Sequence, residues 1–403
     1  MGLESKKEIV EYCIQKKILI TPALLSSVSS VAEVVEWLRN RSGQQPSTLA
    51  SAVPPSHSSK NTLPPTGSYE LVMNYTSPPK KRSVQDFVTY FRSRASQMEK
   101  FLSQRQELSG VTSISRALQK VAREKTVIIG LVFETQVTKN DHFIFTLEDV
   151  TGTIKCFVGK DSPLRQEMND LVLDEMVGVV GTSSGAGLFY VESVVHPDIP
   201  IVPQREECPD DVCGVVLSDI HVGSSGFLED KFLSFLRWIR GEEGTPEQKE
   251  IAGKVRYLFI AGDTVDGMGV YPGQERNSTM HNINDQYEKL SKLLREIPSS
   301  ILIFFSLGDH DAGRLSEPQP PLLSQFRKFF DGMNNVVFVS NPSIIKVHKT
   351  GAFSGVNVLI YHGHSFFYYM ENIQSMKNSG KALHERADLA KKYFLQRRHL
   401  APV

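Results

Sequence analysis

Cysteine is scarce in this chain. Four occur in 403 residues (Cys13, Cys156, Cys208 and Cys213), none in a CxxC pair. That spacing excludes a zinc-ribbon or dithiol signature, and the four read as reduced cytosolic thiols with structural roles. Charge of one sign is also lacking: 45 Lys and Arg balance 45 Asp and Glu. Any contact with nucleic acid must then come from local patches rather than from a global basic field. No apolar run approaches the ~20 residues that cross a bilayer, so no membrane partner is expected. The first residues, Met1 to Lys7, carry no apolar signal-peptide core, and Gly2 with Lys6 does not complete a myristoylation pattern. What is present is the composition of an ordinary soluble protein, long enough for about two to three domains.

The pattern divides the chain. Residues 1–41 carry apolar positions at helical spacing (Ile9, Val10, Cys13, Ile14, then Val31, Val34, Val35, Leu38) and predict a small helical module. Residues 42–82 are rich in Ser and Pro and bury too little to offset their ordering entropy, which predicts a disordered linker. Residues 83–120 predict a helical connector, with Phe87, Tyr90, Phe91, Met98, Phe101 and Leu102 on one face. Across 121–203 five short β-rich runs alternate with Gly-bearing turns, which predicts a small barrel of the OB type. From 204 to 403 apolar strands alternate with helical segments, Phe227–Arg240, Tyr287–Ile297, Leu322–Phe330 and Ala382–Arg397 among them.

In that last region each of four apolar runs is followed at once by acidic and imidazole residues: Asp219-Ile220-His221, Gly262-Asp263, Gly308-Asp309-His310-Asp311 and His362-Gly363-His364. Strand ends that deliver carboxylate and imidazole groups to one rim can hold hard cations with mixed oxygen and nitrogen ligands. Asp263, with two oxygens, can bridge two ions. His310 is placed to act as an acid, with Asp311 beside it to orient the imidazole. A lone strand-end Asp is more often a cap, and a lone His a satisfied polar group. Four such clusters in series favour the metal-site reading.

These motifs resemble those of the calcineurin-like metallophosphoesterases. The runs Leu217–Ser224, Asp266–Glu275, Asp311–Arg314 and Arg397–Val403 are similar to the small, exonuclease subunit of archaeal family-D DNA polymerase. The resemblance covers about residues 120–403. It implies an α/β (α+β) fold: a four-layer metallophosphoesterase β-sandwich flanked by helices, preceded by an OB-fold barrel and the N-terminal helical module. It implies two divalent ions, Mn²⁺ favoured over Mg²⁺, Zn²⁺ or Fe. Asp219 and His221 would hold the first, Asp309 and His362 the second, with Asp263 between them and His310 and Asp311 catalytic. It implies 3′→5′ exonuclease proofreading at single-stranded or mismatched DNA 3′ ends, beside a large catalytic polymerase subunit. A further replication factor would dock through the N-terminal module. The setting implied is archaeal, cytoplasmic and nucleoid-associated.

Three departures from the family pattern stand out. Asp309 occupies a position where the pattern has Asn. His364 stands where these subunits usually show Arg, and it joins Arg314 as a candidate substrate contact. No GHxH motif follows, so the phosphoesterase domain is expected to be truncated and this chain weak in catalysis. A catalytically weakened or inactive scaffold that holds the large subunit is therefore the alternative. A generic phosphomonoesterase is a third reading, disfavoured by the upstream barrel and the Tyr271–Glu275 run.

Overall fold

The computed structural model describes residues 68–76, 80–120, 123–185, 187–199, 206–351 and 353–399. The expected N-terminal helical module and most of the expected linker lie outside the described residues.

Five strands close a barrel: β2 (Lys125–Val137), β3 (Phe143–Asp149), β4 (Gly152–Val158), β5 (Met176–Ser183) and β6 (Leu188–Val195), in the order β2-β3-β4-β6-β5. Neighbours are antiparallel except β4 and β6, which run parallel. This is the OB arrangement that the sequence predicts. Strict alternation sends Phe143, Phe145 and Leu147 of β3 inward, with Ile154, Cys156 and Val158 of β4. Gly181 allows the closing strands to approach, because a Cβ there would lie 2.1 Å from the Tyr190 carbonyl oxygen.

The helix Val84–Ser103 starts at a capping box made by Ser83 and Asp86. Only its C-terminal half packs on the barrel, through Met98 and Leu102. Phe87, Tyr90 and Phe91, expected on the same buried face, are exposed. The seam where Leu102 packs, on β2 and β5, is reached by only one end of a 20-residue helix.

The second body is a sandwich of two sheets. β7 (Cys213–Leu217), β8 (Val255–Ala261), β9 (Leu302–Ser306) and β10 (Val336–Phe338) form a parallel sheet in the order β10-β9-β8-β7. β1 (Ser68–Asn74), β11 (Ser343–Lys349) and β12 (Val356–Ile360) form an antiparallel one, in the order β1-β11-β12. β1 corrects the linker expectation, since part of the Ser- and Pro-rich stretch is a paired strand. Strand alternation explains the layers. Tyr257, Phe259, Leu302 and Phe304 face the second sheet, against Ile345, Val347 and Ile360. Leu258, Ile260, Ile303 and Phe305 face the helices Glu229–Ile239 and Ile283–Leu294. Each such fully buried side chain contributes roughly 1.5–3 kcal/mol. The last described helix, Ala387–Arg397, docks on the barrel, where Arg397 Nε lies 3.2 Å from Glu175 Oε2.

Strands β7, β8, β9 and β12 all end towards the four acidic and imidazole clusters, so the functional groups collect beyond the carboxyl ends of the strands, as in open α/β sheets generally.

Candidate metal centre

The loops after β7 and β8 are stitched edge to edge. The backbone N–H groups of Asp219, His221 and Val222 donate to the carbonyls of Gly262, Asp263 and Thr264 at 3.1, 3.0 and 3.1 Å. This register forces unusual backbone on the residues that carry the chemistry. Asp219, His221 and Asp263 adopt φ of 55°, 50° and 52°. Non-glycine residues in this left-handed region cost roughly 1–3 kcal/mol each and cluster at functional sites. The two motif glycines let the loops touch. A Cβ at Gly262 would lie 2.7 Å from His362 Nδ1, and one at Gly308 would lie 2.2 Å from Asp263 Oδ1.

Asp263 is buried at the centre. Its Oδ1 accepts the His310 backbone N–H at 3.0 Å, and its Oδ2 lies 3.5 Å from both His221 Nε2 and His362 Nε2. Asp263 thus belongs to two groups of possible ligands, Asp219–His221–Asp263 and Asp263–Asp309–His362. Within each, one donor atom per residue lies within 4.8 Å of the others. All five residues expected to hold ions are brought together.

Hydrogen bonds choose the histidine atoms. His362 Nδ1 donates to the Ala261 carbonyl at 2.8 Å, which turns Nε2 towards Asp309 Oδ1 at 3.0 Å. His310 Nδ1 donates to the Asp266 carbonyl at 2.7 Å, leaving Nε2 for chemistry. The His221 and His310 rings meet edge to face at 4.6 Å. Burial disfavours a charged His362, but the Asp263 and Asp309 carboxylates outweigh it and hold its pKa up at about 11. The same hydrogen bond from His362 pulls Asp309 down to about 2, against its own burial. Without an ion, an imidazolium proton answers the negative field that a cation would otherwise satisfy.

Asp311 corrects an expectation. Its carboxylate does not orient His310. It accepts from Thr264 Oγ1, from the Thr264 backbone N–H at 3.3 Å and from the Gly308 N–H at 2.9 Å, with the Tyr287 hydroxyl 3.4 Å away. Burial pushes its pKa up. It braces the two loops from beneath, and the carbonyl of Asp266 holds the imidazole. Arg314 is likewise engaged elsewhere: its Nε donates to the carbonyls of Ser316 and Pro318 at 3.0 Å, and its guanidinium lies 5.0 Å over the Tyr75 ring. His364, about half exposed, places Nδ1 3.4 Å from Asp309 Oδ1.

Asp266 is the residue that sequence reasoning missed. Its carboxylate is buried, and Oδ1 lies 3.9 Å from His221 Nδ1. Oδ2 is enclosed with no hydrogen-bond partner among the described residues. Asp266 forms a third possible ligand group with His221 and His310. The available signal was a second carboxylate three positions after Asp263, on a loop already pinned by that residue. Beside these groups opens a cleft of about 630 Å³ whose lining includes Asp219, His221, His310, Tyr271, Phe227 and Phe232.

Residues 215–398 match the calcineurin-like phosphoesterase family. The chain is 39% identical over 322 residues to the DNA polymerase II small subunit of Methanothermobacter thermautotrophicus, covering 79% of this chain and 63% of that protein. It is 38% identical over 323 residues to the protein of that name from Pyrococcus furiosus, covering 79% and 50%. Against the Archaeoglobus fulgidus protein of the same name it is 34% identical over 372 residues, covering 92% and 71%. The chain thus spans between half and about two thirds of the length of the first two. With a matched phosphoesterase segment and relatives of one name along most of its length, the chain belongs to the DNA polymerase II small-subunit family.

Proposed function

We propose that this chain is a small subunit of a replicative DNA polymerase that removes nucleotides from DNA 3′ ends by two-ion phosphodiester hydrolysis, a 3′→5′ exonuclease working beside a large polymerase subunit. The observation that carries the reading is Asp263, one carboxylate oxygen of which lies 3.5 Å from imidazoles on both sides. The donors fit divalent ions: Asp219, His221 and Asp263 would hold one, and Asp263, Asp309 and His362 the other. Mixed oxygen and nitrogen ligands favour Mn²⁺. When bound, such ions supply water activation and neutralise charge on the phosphoryl oxygens.

The chain's own groups do the rest. His310, pinned at Nδ1 by the Asp266 carbonyl, presents Nε2 at the mouth of the cleft and, as imidazolium, gives a proton to the leaving 3′ oxygen. Asp266 stands behind His221, its Oδ1 3.9 Å from Nδ1, on the side where carboxylates support metal-binding histidines. Asp311 holds Gly308 against Asp263, which keeps the loops at ligand spacing. Phe227, Leu228 and Phe232 form an apolar wall for the terminal nucleoside, and Lys231 stands at the same cleft for its phosphate.

The test is release of nucleotides from a labelled single-stranded 3′ end with Mn²⁺ present. Asp263→Ala lowers the rate by about 10³-fold, the several kcal/mol that an ion clamp supplies. His310→Ala lowers it by about 10²- to 10⁴-fold. Equal release by wild type and Asp263→Ala would remove the assignment. Asp309 carries the second reading, a weakened scaffold: its Oδ1 already lies 3.0 Å from His362 Nε2 and 3.4 Å from His364 Nδ1, contacts that fill one ion position without an added cation. Folded protein that takes up no second Mn²⁺ and releases no nucleotide would support that reading instead.

A further inference from the structure

The cleft beside the ion groups holds an aromatic residue that the hydrolysis itself does not use. Tyr271 lines this cleft and is 39% exposed, so core packing does not account for the ring. Its place is set relative to the reacting groups. The Tyr271 ring lies 6.1 Å from the His310 ring, tilted, and the His310 ring lies 4.6 Å from the His221 ring. Three rings thus run in series outward from the first ion group, with Tyr271 at the far end.

The loop that carries the ring also fixes it. Gln274 is buried; its Oε1 accepts the Val270 backbone N–H at 2.9 Å, and its Nε2 donates to the Asp266 carbonyl at 2.7 Å. That carbonyl is the one to which His310 Nδ1 donates. The imidazole and the Tyr271 loop therefore hang from one oxygen, and their spacing is built into the fold. The Tyr271 carbonyl accepts the Gln274 backbone N–H at 3.3 Å, and Asn277 Nδ2 donates to the Tyr271 hydroxyl at 3.4 Å. Gly273, at φ 82°, makes the turn between them. On the same turn Glu275 and Arg276 are exposed and opposite in sign, so what the turn offers a ligand is the ring rather than a charge.

The chemistry decides which base meets it. Hydrolysis at a 3′ end breaks the bond from phosphorus to the 3′ oxygen of the penultimate nucleotide. Water adds its oxygen to the phosphorus, and the His310 proton goes to the departing 3′ oxygen. The terminal nucleoside hangs from the 5′ oxygen of the same phosphate, away from that proton. The nucleoside on the His310 side is therefore the penultimate one, and Tyr271 is the next ring beyond His310. We propose that Tyr271 stacks the base of the penultimate nucleotide, the one that becomes the new 3′ end, while the terminal nucleoside takes the wall of Phe227, Leu228 and Phe232. Every base has a flat face to set against a tyrosine ring, so the contact is indifferent to sequence. An end with only its last base unpaired cannot fill both places, so ends with two unpaired nucleotides are preferred. The placement rests on the hydrolytic reading, which decides the side of the phosphate that His310 serves.

The experiment is nucleotide release by the full chain with Mn²⁺, from oligothymidylates that are intact or carry an abasic residue at the last or the penultimate position. Tyr271→Ala raises KM on the intact strand by about fivefold to 100-fold, the range for loss of one base-stacking ring, and leaves kcat as it was. Tyr271→Phe restores the wild-type KM. A penultimate abasic residue raises the wild-type KM to match, and Tyr271→Ala then adds nothing. With the abasic residue last, Tyr271→Ala keeps its full effect. On duplex ends, the preference for two mismatched pairs over one falls away in Tyr271→Ala. Circular dichroism and thermal melting verify that each variant is folded. An unchanged KM in folded Tyr271→Ala overturns the assignment, as does an effect that survives the penultimate abasic residue. A lowered kcat at unchanged KM also overturns it and makes Tyr271 a support for His310. Wild type that releases no nucleotide removes the hydrolytic reading and this assignment with it; release by wild type with an indifferent Tyr271→Ala removes this assignment alone.

Discussion

Two buried clusters of charge in this molecule differ in one respect, and the difference separates a site from a brace. Where the helix Ala387–Arg397 meets the barrel, Glu175 is fully buried, with Arg397 Nε at 3.2 Å and His196 Nδ1 at 3.6 Å from Oε2. Arg94 adds a hydrogen bond to His399 and another to the Asp174 carbonyl. Burial raises the pKa of Glu175 while Arg397 and His196 pull it back, and burial with the two guanidiniums holds His399 down at about 4. The chain neutralises this cluster with its own cations. In the strand-end loops Asp263 and Asp309 meet only histidines among the described residues. Arginine is always charged and fills a carboxylate cluster permanently, whereas imidazole can give up its proton and leave a lone pair for an ion. A carboxylate cluster served by histidines is one that an outside cation can enter.

The contrast breaks most visibly under truncation of Arg397. Arg397→Ala leaves Glu175 buried without its nearest guanidinium and is expected to cost about 3–5 kcal/mol of folding stability, read by chemical denaturation. Asp309→Asn, in EDTA, removes one of several crowded carboxylates and is expected to cost far less. A loss as large as that of Arg397→Ala would show that the loops are a brace as well.

Asp266 sharpens the distinction. Asp266→Asn keeps the shape and removes the charge behind His221. Mn²⁺ affinity by isothermal calorimetry should then fall by about 10- to 100-fold with little change in the melting temperature of the ion-free protein. Unchanged affinity would reduce Asp266 to a loop contact.

The last effect is graded, small over any one pH unit. The His362 pKa is raised from 6.5 to about 11 in the ion-free fold. Its protonated pairing therefore stabilises the protein fully below pH 6.5, and that contribution is lost as pH rises towards 11. In EDTA, stability should decline above pH 6.5 by at most about 1.4 kcal/mol per pH unit. Saturating Mn²⁺ takes the place of that proton and should abolish the decline. A slope that persists with Mn²⁺ bound would mean that His362 does not hold an ion.

The strands and the ion-holding residues were legible because both depend on local pattern. Runs such as Tyr257–Ile260 and Ile301–Phe305 leave little alternative to a buried strand, and a Gly before Asp263 marks a close approach. What stayed hidden depends on three-dimensional pairing. His310 and Asp311 are neighbours in sequence, yet their side chains leave the backbone in opposite directions, one to the cleft and one to Thr264 and Gly308. Asp266 acquires its partners only when Val222 accepts its backbone N–H and folds the loop back at 3.0 Å. β1 was invisible because its surroundings read as Ser- and Pro-rich, and its reason to be extended is β11, some 270 positions later. Phe87, Tyr90 and Phe91 have the spacing of a buried face, and spacing cannot say how far a neighbouring barrel extends.

The pairing of β1 with β11 makes the barrel a bracketed insertion. The chain begins the antiparallel sheet, leaves to build the barrel, and returns to complete the same body. A protein cut before residue 206 to isolate the ion-binding half would strip β11 of its neighbour, bare a row of amides and carbonyls along a sheet edge, and lose the Tyr69 ring from beside Phe304. Such a fragment should self-associate, so a soluble version of that half must carry Ser68–Asn74 along with it.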